Sequence, residues 1–394
     1  MHLHRTAAET QSLSLINAAL FAGFILTGIV CTILGPILPV FIARWTLNDA
    51  QAGLFFTTQF TGSLLGVGCS SLILATRGYR HALVLGFLLM AGGIAALNSA
   101  SENFALLANS VAGLGYGIAI PATNLCVAEI AGARRSASLN ILNMAWGVGA
   151  ILCPILVLTG LKAHRFNEVL FAISFGSLLL SILFWTMKFE HNMPSAVSSS
   201  DAKSEIVHDN VHPIHVPIAL AFLFYLYIGT EAGVSGWAAE QASRVGVGAS
   251  STLAPMFFWI GLLSGRGISA LILSRVKENF LVLGGLLLSA LGTVCLLRAS
   301  TSMSIILGVT LAGFGLASIY PIFIAWLSKW YGARARRLGG VMFSMAALGG
   351  ATVPWIIGFV SQHSHSLRVG LLIPLAGCLT MIVLVAALRR RIAA

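Results

Sequence analysis

The chain has 394 residues, of which 57% are hydrophobic and only 9% charged, against roughly 25% charged in an average soluble domain. Its formal net charge of +11 would suit a nucleic-acid binder if the bases lined one solvated face, but they fall in short clusters between long apolar runs, which excludes a nucleic-acid partner. The composition is that of an all-α polytopic membrane protein in contact with a lipid bilayer.

Crossing a ~30 Å hydrocarbon core takes about 20 apolar residues. The first run, 15–42, is too long for the core of a cleavable signal and ends without an Ala-x-Ala site, so it is expected to stay as a spanning helix. Further spans are expected at 50–74, 81–98, 104–129, 138–160, 167–187, 216–241, 251–273, 279–297, 303–328, 338–361 and 368–388, which makes twelve. The long polar stretch 190–215, rich in Ser, His, Asp and Pro, reads as a flexible linker. It divides the chain into an N-terminal six-helix bundle, 1–189, and a C-terminal six-helix bundle, 216–394. Cys31, Cys69, Cys126, Cys153, Cys295 and Cys378 are isolated within apolar runs and carry no metal or disulfide spacing.

Lysine and arginine collect on one side of this layout. Sixteen lie in the tails, the linker and one set of alternate loops, six in the other set (Arg44, Lys162, Arg165, Arg244, Arg298 and Arg368), and Arg266 is left inside the eighth span. The base-rich side is expected to face the cytoplasm. Both termini and the linker would then be cytoplasmic, in the plasma membrane of a bacterium, that is, its inner membrane.

The two halves repeat. AGLGYGIAIP at 112–121 matches AGFGLASIYP at 312–321, GARR at 132–135 matches the start of GARARR at 332–337, and Pro154 matches Pro354. The stretch from Gly62 matches that from Gly261 one residue out of that register. Paired bundles that rock about a site near the midplane are what alternating-access transporters are built from.

The residues also carry a family pattern. LGPILPVF (34–41), DAQAGLFFTTQFTGSLLG (49–66), SLNILNMAWGVGAILCP (138–154), YIGTEAGVSGW (227–237), FFWIGLLSGR (257–266) and ASIYPIF (317–323) resemble the major facilitator superfamily, and within it the fucose permease branch, whose members are fucose–proton symporter-like. The resemblance implies two pseudo-symmetric six-helix bundles of that fold. The loop between the second and third spans departs from the superfamily pattern. It reads ATRGYR, with Arg77 and Arg80 but without the usual Asp. Glu129, followed by Arg134, is the expected replacement anion of a gating network. The branch resemblance also implies intramembrane carboxylates in the first and fourth spans. This chain has Cys31 in the first and Ile120, Pro121 and Asn124 in the fourth, so proton coupling would need a different acid.

That acid is Glu231. The other eleven acidic residues fall in loops, tails or helix ends, whereas Glu231 sits within YLYIGTEAGVSGWAAEQ, 225–241, at a depth where a charge costs at least ~2.5 kcal/mol. Two readings stand: an ionised partner of Arg266 that ties the seventh and eighth spans, or a cavity group that binds substrate and exchanges a proton. Gly229, Gly233 and Gly236 favour the second by loosening the helix. For Arg266, between Gly265 and Gly267, a structural tie to backbone carbonyls competes with a role in coupling.

A pyranose presents hydroxyls around its rim and an apolar face, so its site needs amides or carboxylates for hydrogen bonds and an aromatic plane. Gln59, Asn124, Asn140, Asn143 and Glu231 fit the first need. Trp146, Trp237, Tyr227, Trp259 and Tyr320 fit the second, and Asn143 and Trp146 share a helix face. Each amide could equally be an interhelical bond, and each Trp near a helix end an interfacial anchor.

No phosphate-binding Gly-x-x-x-x-Gly-Lys-Ser/Thr pattern occurs, so ATP is not the direct energy source. No catalytic triad, metal-ligand set or cofactor motif is present, and no enzyme activity is expected. The expectation is a monomeric secondary transporter that moves a small-molecule substrate, a monosaccharide, by alternating access with protons. The rivals are efflux of amphipathic drugs, facilitated sugar uniport, and a non-transporting sensor. Topology reporters fused after Ala394 and inserted near Ser199 should both report cytoplasm; either one outside would overturn the six-plus-six layout.

Overall fold

The computed structural model describes residues 7–187, 189, 213–273 and 275–392. Most of the expected linker, and both reporter positions, lie outside the described residues. The helices are α1 (Ala7–Thr32), α2 (Leu34–Trp45), α3 (Asp49–Ala96), α4 (Glu102–Ala131), α5 (Arg135–Lys162), α6 (Phe166–Thr186), α7 (His215–Val245), α8 (Ala254–Ile272), α9 (Glu278–Leu297), α10 (Ser302–Leu316), α11 (Ile319–Tyr331), α12 (Ala335–Ser364), α13 (Leu367–Gly370) and α14 (Leu372–Ile392).

Among the described residues eleven continuous stretches are long and apolar enough to cross a membrane. One of them, α3, has 48 residues and turns at Gly78, at φ +75° and ψ −175°, an extended left-handed backbone essentially confined to glycine. It therefore holds two crossings, and the total is twelve. Three expected spans are interrupted, at Ile33, at Ala317–Ser318 and at Leu371. A proline follows shortly after each: Pro36, Pro321 and Pro374. A proline has no N–H for the carbonyl four residues before it, and those carbonyls belong to Thr32, Ala317 and Gly370, at the edges of the breaks.

Residues group into two compact units. The first takes the chain up to Ile33 and from Thr61 through α6; the second takes Leu34–Phe60 and the chain from α7 onward. Without a hydrophobic drive between helices in lipid, small residues that let backbones approach hold such units together. The same contacts recur in each. In the first unit a Cβ on Gly149 would lie 1.9 Å from the Ile25 carbonyl oxygen; in the second a Cβ on Gly349 would lie 2.0 Å from that of Tyr225. Likewise Gly62 approaches the Ser110 carbonyl and Gly261 the Thr310 carbonyl, at 2.1 and 2.3 Å. The sequence repeat is thus a repeat of backbone contacts, and short 3-10 turns recur at Gly132–Arg134 and Gly332–Arg334.

Gly149→Ala should lower the melting temperature measured in detergent, since the methyl has nowhere to go and overpacking costs about 1–3 kcal/mol. Gly92→Ala, where nothing lies within 4 Å of the added carbon, should stay within about 1 kcal/mol of the parent.

Candidate functional site

Helix α7 runs unbroken from His215 to Val245, so Glu231 lies in a continuous helix. The glycines expected to loosen it are packing surfaces instead. A Cβ on Gly229 would meet Val353 at 2.4 Å, on Gly233 Ile357 at 2.6 Å, and on Gly236 the Phe56 ring at 2.6 Å.

One turn before Glu231, the Tyr227 hydroxyl donates to Glu231 Oε2 at 2.6 Å, and one turn after it Ser235 Oγ donates to the Glu231 carbonyl at 2.7 Å. Arg266 of α8 interacts with both the Tyr227 hydroxyl and the Glu231 carboxylate. The acid and the base make no direct ion pair; the tyrosine is their shared partner. Tyr320 of α11 completes the cluster, its ring 5.3 Å from that of Tyr227 and its hydroxyl within the field of both charges. Phe224 and Phe323 wall Tyr227 and Tyr320, with ring centroids 5.4 to 6.5 Å apart.

Glycines also place α8. A Cβ on Gly265 would lie 2.6 Å from that of Ala317 and 2.9 Å from the Phe314 carbonyl oxygen, so the turn that carries Arg266 is pressed against the end of α10. The buried Arg266 Nε has no hydrogen-bond partner. A guanidinium so held has donor capacity left for a ligand oxygen or a water molecule.

The other expected ligands divide. Trp237 is fully buried and its indole N–H donates to the Pro354 carbonyl at 3.0 Å. It ties α7 to α12 and offers no face to a solute, so it leaves the candidate set. Trp259, 7% exposed, stands edge-on to Phe258 at 5.2 Å and is a packing residue by the same criterion. Gln59 is buried in α3. In the first unit, Asn124 and Asn143 each donate to the carbonyl four residues earlier, Ile120 at 2.9 Å and Leu139 at 2.8 Å. Asn140 and Asn143 are exposed on α5, and Trp146 on the same helix meets Cys31 of α1. The repeat thus sets a thiol with a Trp in the first unit where the second has an acid with two tyrosines.

The expected gate residues of the first unit take a different pairing. Glu129 accepts a hydrogen bond from the Tyr79 hydroxyl, not from Arg77, Arg80 or Arg134, and its Oε2 is buried with no hydrogen-bond partner. Arg80 stacks over the Trp185 ring at 4.6 Å, while Arg77 and Arg134 are exposed. Glu129 therefore anchors the junction after Gly78 through a tyrosine.

Residues 20–283 match the sequence pattern of the Major Facilitator Superfamily. The chain belongs to that superfamily. It is 21% identical to the glucose/mannose transporter GlcP of Bacillus subtilis (strain 168) over 368 residues, 90% of each chain. In fold it is similar to the nucleoside transporter NupG, with a TM-score of 0.75 at 12% identity over 94% of this chain and 98% of that one. It is also similar to the E. coli fucose:proton symporter FucP, with a TM-score of 0.61 at 18% identity over 95% and 98%. This superfamily member is a multi-pass membrane transporter.

Sequence reasoning missed two acids. Asp49 and Glu240, expected at helix ends, are 8% and 6% exposed and share Arg244. The signals were local: Glu240 and Arg244 are four apart on one helix, and Asn48 and Gln51 form a reciprocal cap around Asp49.

Tyr227→Phe removes the hydroxyl shared by Glu231 and Arg266 while keeping the ring. It should lower stability by about 1–3 kcal/mol, the cost of stranding buried polar groups, in a thermal melt of the purified protein. Tyr225→Phe, whose hydroxyl pairs with Thr352 Oγ1 at 2.9 Å, should cost less.

Proposed function

We propose that this superfamily member carries a small polyhydroxylated solute, a monosaccharide, into the cell together with a proton, and that Glu231 is the group that takes and releases the proton. The reading rests on one observation: a carboxylate within a membrane-spanning helix that is held by a tyrosine hydroxyl and faces, without a direct ion pair, an arginine with an unused donor.

The chemistry follows from what each group can give. With Glu231 ionised, Tyr227 donates to it and Arg266 balances its charge. With Glu231 protonated, the carboxyl becomes a donor, the arginine loses its counter-charge, and its guanidinium is left to seek an oxygen acceptor. A solute hydroxyl supplies such an acceptor, and the half-buried ring of Tyr320 supplies apolar surface for a sugar face. Proton and solute then favour the same state of the cluster, which is the thermodynamic content of symport. The names of the similar proteins agree in substrate chemistry, since glucose, mannose, fucose and the ribose of a nucleoside all carry ring hydroxyls. The fucose:proton symporter of the branch suggested by the sequence is among them. The base count supports a cytoplasmic base-rich face with both termini on that side, in the inner membrane of a bacterium.

Glu231→Gln keeps the size of the side chain but cannot ionise. In proteoliposomes loaded with the panel sugar that gives the largest ligand-induced thermal shift, this variant should lose accumulation driven by a pH gradient and keep counterflow exchange. Proton-driven uptake that survives would sink the coupling role and leave facilitated uniport. Loss of the folded protein, restored by pairing Glu231→Gln with Arg266→Gln, would make the cluster a structural tie. A thermal shift with amphipathic drugs and with no sugar would replace the substrate class.

A further inference from the structure

One acid and one base meet where α7, α8 and α11 come together. Glu231, Arg266 and Tyr320 are each half-buried, which leaves part of every one of these side chains uncovered, while Tyr227 is fully buried. The ionisable groups acting on Glu231 are Arg266 from α8 and Tyr227 from its own helix, and Tyr320 from α11 lies within reach of both charges. The other helices meet this stretch of α7 without charge: α12 through Val353 and Ile357, α14 through Gly377, and α2 through Gly35. Among the described residues, then, two groups set the charge of the cluster. It is zero when Glu231 is ionised.

Protonation of Glu231 removes the negative charge and leaves Arg266 an uncompensated cation inside a membrane-spanning segment, where such a charge is costly. A neutral solute does not restore the balance, because its hydroxyl gives the guanidinium an oxygen but no charge. A carboxylate gives both. The donor geometry agrees. Arg266 Nε is buried without a partner, and Nε with the terminal nitrogen beside it forms an edge of the guanidinium that matches the two oxygens of a carboxylate. The close packing of Gly265 on Ala317 and Phe314 holds the turn that presents this edge. A phosphate monoester carries nearly two negative charges at neutral pH and would overshoot the single cation.

We propose that the solute is the acid form of a sugar, an aldonate or uronate monoanion, whose carboxylate takes the place on Arg266 that Glu231 gives up when it accepts a proton. The inference rests on the reading of this cluster as the solute and proton site. The proton passes from water to a Glu231 carboxylate oxygen as the solute binds and returns to water as the solute leaves; no bond of the solute changes. Empty and loaded clusters are then both neutral. One proton and one monoanion together move no charge across the bilayer, so transport follows the pH gradient and ignores the membrane potential, whereas a neutral sugar with one proton moves one positive charge and responds to both.

The test measures binding to the purified full chain of the aldonates and uronates of glucose, mannose and galactose, each beside its neutral parent sugar. At acid pH one of the acids should bind about ten-fold or more tighter than its parent. Its Kd should rise with pH in the parent chain, because Glu231 must be protonated for the anion to bind, and should stay flat with pH in the Glu231→Gln chain. Arg266→Gln should bring acid and parent sugar within about two-fold of each other; if that variant does not fold, the pH profile of Glu231→Gln decides. In proteoliposomes with the outside acidic, accumulation of the acid should be unchanged by an inside-negative potential set with potassium and valinomycin. A neutral sugar that binds as tightly as its acids, tighter binding of glucose 6-phosphate, or uptake that rises about three-fold or more under the potential would overturn the inference and leave the wider reading of the site in place. No binding of any acid or any parent sugar would overturn both.

Discussion

A carboxylate in the middle of a membrane-spanning helix has to find its partners within the protein, because the bilayer offers none. Glu231 finds a tyrosine one turn away on its own helix and an arginine on the next one. Much of the second unit can be read as support for that arrangement. Gly229 and Gly233 bring α12 against the same helix, Trp237 fixes it to the Pro354 carbonyl, and Gly265 holds the Arg266 turn against α10. Aromatic rings wall the cluster, and such low-dielectric surroundings strengthen each electrostatic contact within it.

The internal repeat keeps positions and changes chemistry. Where the chain turns after the second crossing, Tyr79 donates to Glu129 of α4. At the matching turn of the second half the acid is Glu278, and Trp326 of α11 donates to it at 2.8 Å. The donor and the acceptor have exchanged helices, yet the link between the same two elements persists. A hydrogen bond requires only that one side give and the other accept, so either polarity satisfies the packing constraint. The midplane differs more. Cys31 and Trp146 in the first unit correspond by the repeat to the region of Glu231 in the second, and only the second carries charge. That asymmetry concentrates ionisable chemistry in one unit.

The two clusters of α7 also differ in how their charges are held. Glu231 and Arg266 share a hydroxyl and do not touch, which leaves donor capacity on the arginine. Asp49 and Arg244 touch directly and are ringed by further partners. An arrangement with a buried donor left over suits binding a solute, and one whose ions each have several partners suits holding two elements together.

Sequence patterning settled the number and order of the crossings, the repeat, and the identity of the deep acid and base. Those properties follow from hydropathy and spacing along a single helix, which the bilayer enforces locally. It misread the glycines around Glu231 as hinges and Trp237 as a stacking surface, because a small residue or an indole on α7 has no meaning until the helix it faces is known. It placed Asp49 and Glu240 at helix ends without a partner from another crossing, since Asp49 meets Arg244 of α7 and Ser361 of α12 across 195 and 312 residues of chain. What a residue type can donate, accept or charge was written in the sequence; which partner it meets was decided by tertiary packing, because that partner comes from a distant crossing that no local periodicity encodes.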